Sequence, residues 1–329
     1  MNILDSRLNI RPLNIFIDPQ YPVEKAIISH AHADHAKSGH DKVLATKETI
    51  DIMKIRYGEN CAKSFQVINY GESLKINDVD ISFYPAGHIL GSAQILINFK
   101  GQKTLVTGDY KTVDDKISTP FELIKCNTLV SEATFGLPIF RHPNASEEIK
   151  KIITSLNKNS QSTHLIGCYA LGKAQRVISL LRDSGYKETI FIHGALEKIC
   201  RYYINNNIKL GNLEKISNLK DLDSKNNVVI APPSALKDRW SRRFKNKISS
   251  QASGWLSIKQ RVKQNQIEIP LVISDHSDWN ELTNTITNTR AEKVLLTHGN
   301  EEALVYWCKK KGIDALPLSI HGMKEKVEK

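Results

Sequence analysis

Cysteine is scarce and unpatterned in this sequence. The five that occur (Cys61, Cys126, Cys168, Cys200, Cys308) are odd in number and scattered, with no C-x-x-C among them. Neither a disulfide framework nor a cysteine zinc site is expected. No signal-peptide pattern opens the chain, and no apolar run is long enough to span a bilayer. The expectation is a cytoplasmic protein with no membrane partner. The G-x-x-x-x-G-K-[ST] spacing of a Walker A loop is missing. So is any internal repeat, low-complexity tract or flexible linker. What remains is a chain of 329 residues, 40% hydrophobic, long enough for more than one domain with real cores.

Acidic charge is thin in the middle of the chain. Net charge is +11, but residues 150–270 hold 22 Lys+Arg against 8 Asp+Glu, or +14, while the remainder is slightly acidic. A generic solubility charge would be spread evenly. A segment that concentrates it expects a polyanionic partner.

Histidine, by contrast, is clustered. Ser29-His30-Ala31-His32-Ala33-Asp34-His35 places three of the 11 histidines and one carboxylate within six residues. The apolar Ala26-Ile27-Ile28 before it reads as a strand leaving a core. The H-x-H-x-D-H spacing suits a loop beyond a strand rather than the i, i+4 display of a helical H-E-x-x-H site. Imidazoles with a carboxylate suit zinc, with manganese or iron as substitutes. A merely polar surface loop would have no reason to cluster them.

The same grammar recurs along the chain. Apolar Ile15-Phe16-Ile17 ends at Asp18, which could hold the histidine loop by hydrogen bonds or simply start a turn before Pro19. The sequence leaves both open. A helix is expected over Lys47–Tyr57, with Ile50, Met53 and Ile55 as its apolar residues. Strands are expected over Val79–Tyr84, Ala93–Phe99 and Lys103–Thr107, and another closing at Val130. Three of them release His88, Asp109 and Glu132 into loops, where chemistry is commonly carried. Asn144-Ala145-Ser146-Glu147 opens a helix with capping chemistry, and the basic segment begins. Within it, strand and helix alternate in α/β fashion. Leu171-Gly172-Lys173-Ala174-Gln175-Arg176 reads as a glycine turn entering a helix, whose free amides together with Lys173 and Arg176 could bind phosphate. Lys237–Lys247 has six basic residues against one acid, with Trp240 and Phe244 interleaved. Arg239, Arg242, Arg243 and Lys245 are candidates for nucleic-acid contact, with the aromatics either stacking on bases or facing a core. Beyond it, Leu271–Ile273 ends at Ser274-Asp275-His276, and Lys293–Leu296 ends at Thr297-His298-Gly299.

These landmarks, in this order, resemble the β-CASP branch of the metallo-β-lactamase superfamily over essentially the whole chain. More narrowly, Phe16-Ile17-Asp18-Pro19, Ala86-Gly87-His88-Ile89-Leu90-Gly91-Ser92, Glu132-Ala133-Thr134-Phe135-Gly136-Leu137-Pro138, Ser253-Gly254-Trp255-Leu256 and Ser274-Asp275-His276-Ser277-Asp278-Trp279 look like the bacterial ligase-associated DNA exonucleases. The resemblance implies an α/β fold: a metallo-β-lactamase αβ/βα sandwich (residues 1–149 and 271–329) interrupted by an inserted β-CASP α/β domain (residues 150–270). It implies two divalent metal ions, zinc foremost and manganese second. His30, His32 and His88 would hold one, Asp34, His35 and His298 the other, and Asp109 would bridge. Asp18 would orient the histidine loop, Asp34 would also serve catalysis, and His276 would protonate the leaving oxygen with Glu132 behind it. The implied activity is DNA exonuclease action in repair, beside an ATP-dependent DNA ligase and a helicase. A histidine at the position of His298 is usual in the RNA-processing members, so an RNA nuclease stands as the alternative. A small-molecule metallo-hydrolase and a non-catalytic nucleic-acid-binding subunit are the rivals from other classes. The first needs neither the basic insert nor the Glu132/His276 pair; the second needs no ligand set.

Overall fold

The computed structural model describes residues 3–219 and 226–322. The chain forms two compact units. One comprises Met1–Asp114, Ser118–Arg141 and His276–Lys329; the other comprises Asp115–Ile117 and His142–Asp275. Among the described residues no helix is long and apolar enough to cross a membrane.

The first unit is built on two sheets. Five strands lie in chain order: Asn9–Ile10, Ile15–Ile17, Lys25–Ile27, His40–Ala45 and Ala62–Val67, all parallel after the first pair. The seven-stranded sheet runs, across its width, Asp314–Pro317, Lys293–Gly299, Thr128–Ala133, Gln102–Val106, Ala93–Phe99, Val79–Pro85 and Ser73–Ile76. Its first four strands are parallel and the rest antiparallel. Period-two alternation divides the side chains between its faces. Val106, Val130 and Leu295 face one apolar core together with Ile10, Ile17, Ile27 and Leu44 of the five-stranded sheet. Their neighbours Leu105, Leu129, Val294 and Leu296 face the other way, against Trp279, Leu282 and Ile286 of the Trp279–Thr289 helix and Leu304 and Cys308 of the Glu301–Lys310 helix. Burial on both faces explains why these strands read as nearly continuous apolar runs. The Lys47–Tyr57 helix starts where expected, but it buries Ile50, Ile52 and Met53, leaving Ile55 half-buried.

The second unit carries a six-stranded, all-parallel sheet. Its order is Leu213–Lys215, Ile190–Ile192, Val228–Ala231, Thr163–Gly167, Lys247–Ala252, Ile269–Leu271. The unit's main stretch begins before residue 150 and ends beyond 270, and both differences have local causes. In the Ala145–Lys158 helix, capped by Asn144, Glu148 accepts the N–H of Val272 at 2.8 Å. The Ile269–Leu271 strand closes the edge of this unit's sheet. Two loop assignments also shift, those of Glu132 and of Thr297-His298-Gly299, for the strand that begins at Lys293 runs on to Gly299. Glu132 lies within a strand that runs on to Ala133, because parallel pairing with the Lys293–Gly299 strand continues through Glu132 and Thr297. Lys237–Lys247 is a broken pair of short helices, Pro233–Lys237 and Arg239–Arg242, interrupted at Asp238, which caps the second.

Candidate metal centre

The strand ends of the first unit converge as their sequence grammar suggests. After Ile28 donates to the Leu44 carbonyl (3.0 Å), the chain leaves the sheet and turns, with the His35 and Ala36 N–H groups donating to the His32 carbonyl at 3.1 and 2.8 Å. The Arg56 guanidinium donates to the Ala31 carbonyl, and Gln20 Nε2 to that of Asp34 at 2.5 Å. Asp18 ties the loop to its neighbouring strand. Its carboxylate accepts from the Ser29 N–H (2.7 Å), the Ser29 hydroxyl (2.5 Å) and His35 Nδ1 (2.8 Å). Of the two readings of Asp18, the structure has the hydrogen-bonding one. Ser29 was not singled out by sequence. Its hydroxyl also lies 3.0 Å from His30 Nδ1, so one serine links the first histidine to Asp18. Its place immediately before the first histidine was the available signal.

His88 hangs from a turn that only glycine can start. Gly87 has φ +71°, and a Cβ there would sit 2.2 Å from the Lys111 carbonyl oxygen. Ser92, also missed from sequence, accepts from the His88 and Ile89 N–H groups at 3.1 and 3.2 Å. Asp109 follows Gly108, another left-handed glycine at φ +56°.

Distances single out Asp109 Oδ2. It lies 3.3 Å from His35 Nε2, 3.5 Å from His30 Nε2, 3.8 Å from His88 Nε2 and 3.9 Å from His276 Nδ1. His88 Nε2 and His32 Nδ1 are 3.0 Å apart. Among the described residues, three groups are close enough to share an ion: His30/His32/His88/Asp109, Asp18/His30/His35 and Asp109/Glu132/His276. Asp34 and His298 are in none of them. The Asp34 side chain is 71% exposed, 3.9 Å from His35 Nε2. His298 is exposed, at φ +55°, its ring stacked on His35 at 4.9 Å. These two expected ligands border the cluster on the His35 side.

The electrostatics fit a cation. His30 Nε2 and His35 Nε2 are buried yet make no hydrogen bond, a costly state unless something else takes the lone pair. Burial and the neighbouring imidazoles hold His30 well below the usual histidine range. Burial also opposes charge on His35, but the Asp109 and Asp18 carboxylates outweigh it and hold that ring well above its ordinary value. Asp109 stays well below the usual carboxylate range despite burial, because His35, His276 and His30 surround it. A neutral imidazole and an ionised carboxylate are the forms that bind a divalent metal, so His30 and Asp109 already have them, whereas His35 has to give up its proton to the ion. Nitrogen and oxygen donors of this kind suit zinc, manganese or iron.

Glu132 and His276 form a pair at the rim. Glu132 is buried; Oε1 accepts the Tyr110 N–H (2.7 Å) and Oε2 lies 3.0 Å from His276 Nδ1. Both carboxylate oxygens are thus occupied, and the His276 side chain is 24% exposed.

The nucleic-acid candidates divide sharply. Lys173 and Arg176 are buried, at 4% and 1% exposure, at the start of the Lys173–Asp183 helix that Gly172 opens. Arg176 pairs with Asp115 and Asp275, and Lys173 with Asp275 at 3.0 Å. Freeing Arg176 for a phosphate would take the guanidinium from the buried Asp115 carboxylate, a cost of about 3–5 kcal/mol, and Lys173 is itself buried on Asp275, so the phosphate-binding expectation is corrected here. Arg239, Arg242, Arg243 and Lys245 are exposed. The aromatics between them face inward. Phe244 is buried with Leu165, Phe191 and Val229, Trp240 packs against that cluster, and Arg243 lies over both rings at 4.9 and 5.3 Å from their centroids. Of the two readings of these rings, the structure has the core-facing one.

No family model matches the chain. It is similar to a class of proteins named as nucleic-acid enzymes. Over 313 residues, 94% of this chain, it is 25% identical to a probable DNA ligase of Opitutus terrae. It is 35% identical over 147 residues to the endoribonuclease ysh1 of Aspergillus fumigatus, and 27% over 184 to an RNase J-like protein of Methanocaldococcus jannaschii, covering 43% and 49% of this chain. The chain spans 30%, 16% and 44% of those proteins' lengths. In fold it resembles a crystal structure of a protein of unknown function from Enterococcus faecalis, with TM-score 0.63 and 13% identity, covering 91% of this chain and 80% of that one. The resemblance to the β-CASP metallo-β-lactamase branch, its ligase-associated members included, is carried by these relatives as well as by motif.

Proposed function

We propose that this chain is a metal-dependent nuclease that hydrolyses phosphodiester bonds in DNA from an end, acting in repair beside an ATP-dependent ligase and a helicase. In this reading the first unit is a metallo-β-lactamase sandwich and the second its β-CASP insert. The observation that carries the chemistry is the convergence of four imidazoles on Asp109 Oδ2 within 3.9 Å. Two zinc ions there, or manganese in their place, would lower the pKa of water and offset charge on an in-line phosphoryl transition state. His30, His32 and His88 would hold one and His35, with Asp34 and His298 drawing in, the other; Asp109 would serve both. Asp18 orients His35 through Nδ1. Glu132 takes the Nδ1 proton of His276 as a hydrogen bond, leaves Nε2 to deliver a proton to the departing sugar oxygen, and offsets the ring's charge. Arg239, Arg242, Arg243 and Lys245 would meet the backbone phosphates.

DNA is preferred over RNA because the relative named for DNA aligns over 94% of this chain, whereas relatives named for RNA align over 43% to 56%. RNA is the second reading, favoured by His298 and by those ribonuclease names. One assay decides between them: end-labelled single- and double-stranded DNA and matched RNA, with zinc, manganese or chelator. Stepwise loss of nucleotides from DNA, abolished by chelation, is expected. Degradation of RNA alone would move the chain to the second reading, and activity in a metal-free sample would end both.

A further inference from the structure

We propose that Arg176 and Lys173 are positioning residues for His276. The two cations grip the three residues before it from several directions. Arg176 pairs with the Asp275 carboxylate and donates to the Ser274 carbonyl (3.3 Å); Lys173 Nζ reaches the same carboxylate (3.0 Å) and the Ile273 carbonyl (3.0 Å). Asp115 balances the guanidinium from its other side. All four charged side chains are at most 8% exposed. Stability alone does not ask for such a set, since apolar residues of similar volume often do as well or better in a buried site. What the set defines is the conformation of one short stretch, and the next peptide bond leads to His276.

The far side of His276 is fixed independently. The Ser277 N–H and hydroxyl donate to the Tyr110 carbonyl at 2.8 and 3.0 Å. The Tyr110 N–H in turn donates to Glu132 Oε1 (2.7 Å), while Glu132 Oε2 meets His276 Nδ1. The imidazole is therefore set by its own carboxylate partner and by both flanking residues. Arg176 and Lys173 supply the anchor on the N-terminal side. A displacement of about 1 Å at a reacting group can cost on the order of 100-fold in rate, so a loosened Ile273–Asp275 stretch should be felt in turnover.

This inference rests on His276 being the proton donor, and the test separates the two. It uses the full chain with its metal, and DNA substrates with either the natural leaving oxygen or sulfur in its place, which leaves without a proton. Arg176→Lys keeps the charge but loses the planar fork that spans two carboxylates. It should lower kcat roughly 10- to 100-fold, with KM within about twofold and the salt dependence of binding unchanged. The sulfur substrate should recover most of the loss. Added to His276→Ala, Arg176→Lys should cost nothing further. Multiplicative losses in the double variant would overturn the inference, as would a raised KM with a shallower salt slope, which marks a phosphate contact. Failure of sulfur to rescue His276→Ala would end the proton-donor reading, while the double variant would still decide whether Arg176 acts through His276. Metal content and thermal midpoint check each variant's fold. Lys173→Met, which removes one contact to Asp275, gives a second cycle if Arg176→Lys does not fold.

Discussion

Asp109 does more at this site than any single histidine, because one of its oxygens faces four imidazole nitrogens. Losing one histidine would leave the others in place. Asp109→Asn replaces a charge shared by the whole cluster with an amide that can donate. It should weaken metal binding beyond the roughly 10- to 100-fold expected for an outer partner such as Asp18→Asn. Metal content after dialysis against graded chelator ranks the two, and an Asp109→Asn protein that keeps its metal as well as Asp18→Asn would remove the shared role. Gly299 sets a limit of another kind. At φ +150° its missing Cβ would lie 2.0 Å from the Ala133 carbonyl oxygen, with backbone on both sides of the clash. Gly299→Ala should cost about 1–3 kcal/mol, read as a lower denaturation midpoint. An unchanged midpoint would mean that the strand end bearing His298 is free to move.

At the level of elements, what could be read from sequence was what depends on near neighbours. Strand runs, helix starts and the release of His88 and Asp109 after a strand are encoded within a few residues, and most appear within a residue or two of expectation; the strand from Lys293 runs three residues further, to Gly299, and takes in His298. Glu132 was misplaced because its strand is prolonged by a partner strand some 165 positions away, through the Glu132–Thr297 register. Lys173 and Arg176 read as phosphate-binding because their carboxylate partners, Asp115 and Asp275, are remote in sequence. Composition counts charges and cannot pair them. The same limit applied to Phe244, whose burial depends on Leu165 and Val229. The exposed helix Arg239–Arg242 survives that sorting. Arg239 and Arg242 are the clean pair to test, since Arg243 covers Trp240 and Phe244 and its removal would also disturb packing. With both changed to Gln, the slope of log affinity against log salt should fall by roughly 1–2 if each meets one phosphate. An unchanged slope would assign them to solubility.

Over the whole molecule, the two kinds of chemistry are partitioned. Every candidate metal ligand lies in the unit made of Met1–Asp114, Ser118–Arg141 and His276–Lys329, whereas the basic helix lies in the other. A ligand that binds only the folded state stabilises what it binds, by about 2.7 kcal/mol at 100 times its Kd. Metal should therefore act unevenly. On chelation, amides of the Thr128–Ala133 and Lys293–Gly299 strands, which carry Glu132 and His298, should exchange hydrogen faster by up to roughly 100-fold, the equivalent of that free energy. Amides of the Thr163–Gly167 and Val228–Ala231 strands, in the parallel sheet of the other unit, should change little. Restoring zinc should reverse the first change. Equal loosening of both sheets would show that the units open as one cooperative body, so that the metal sustains the entire fold. No change in either sheet, in a sample whose zinc had first been measured, would mean that the ion binds somewhere other than the cluster around Asp109.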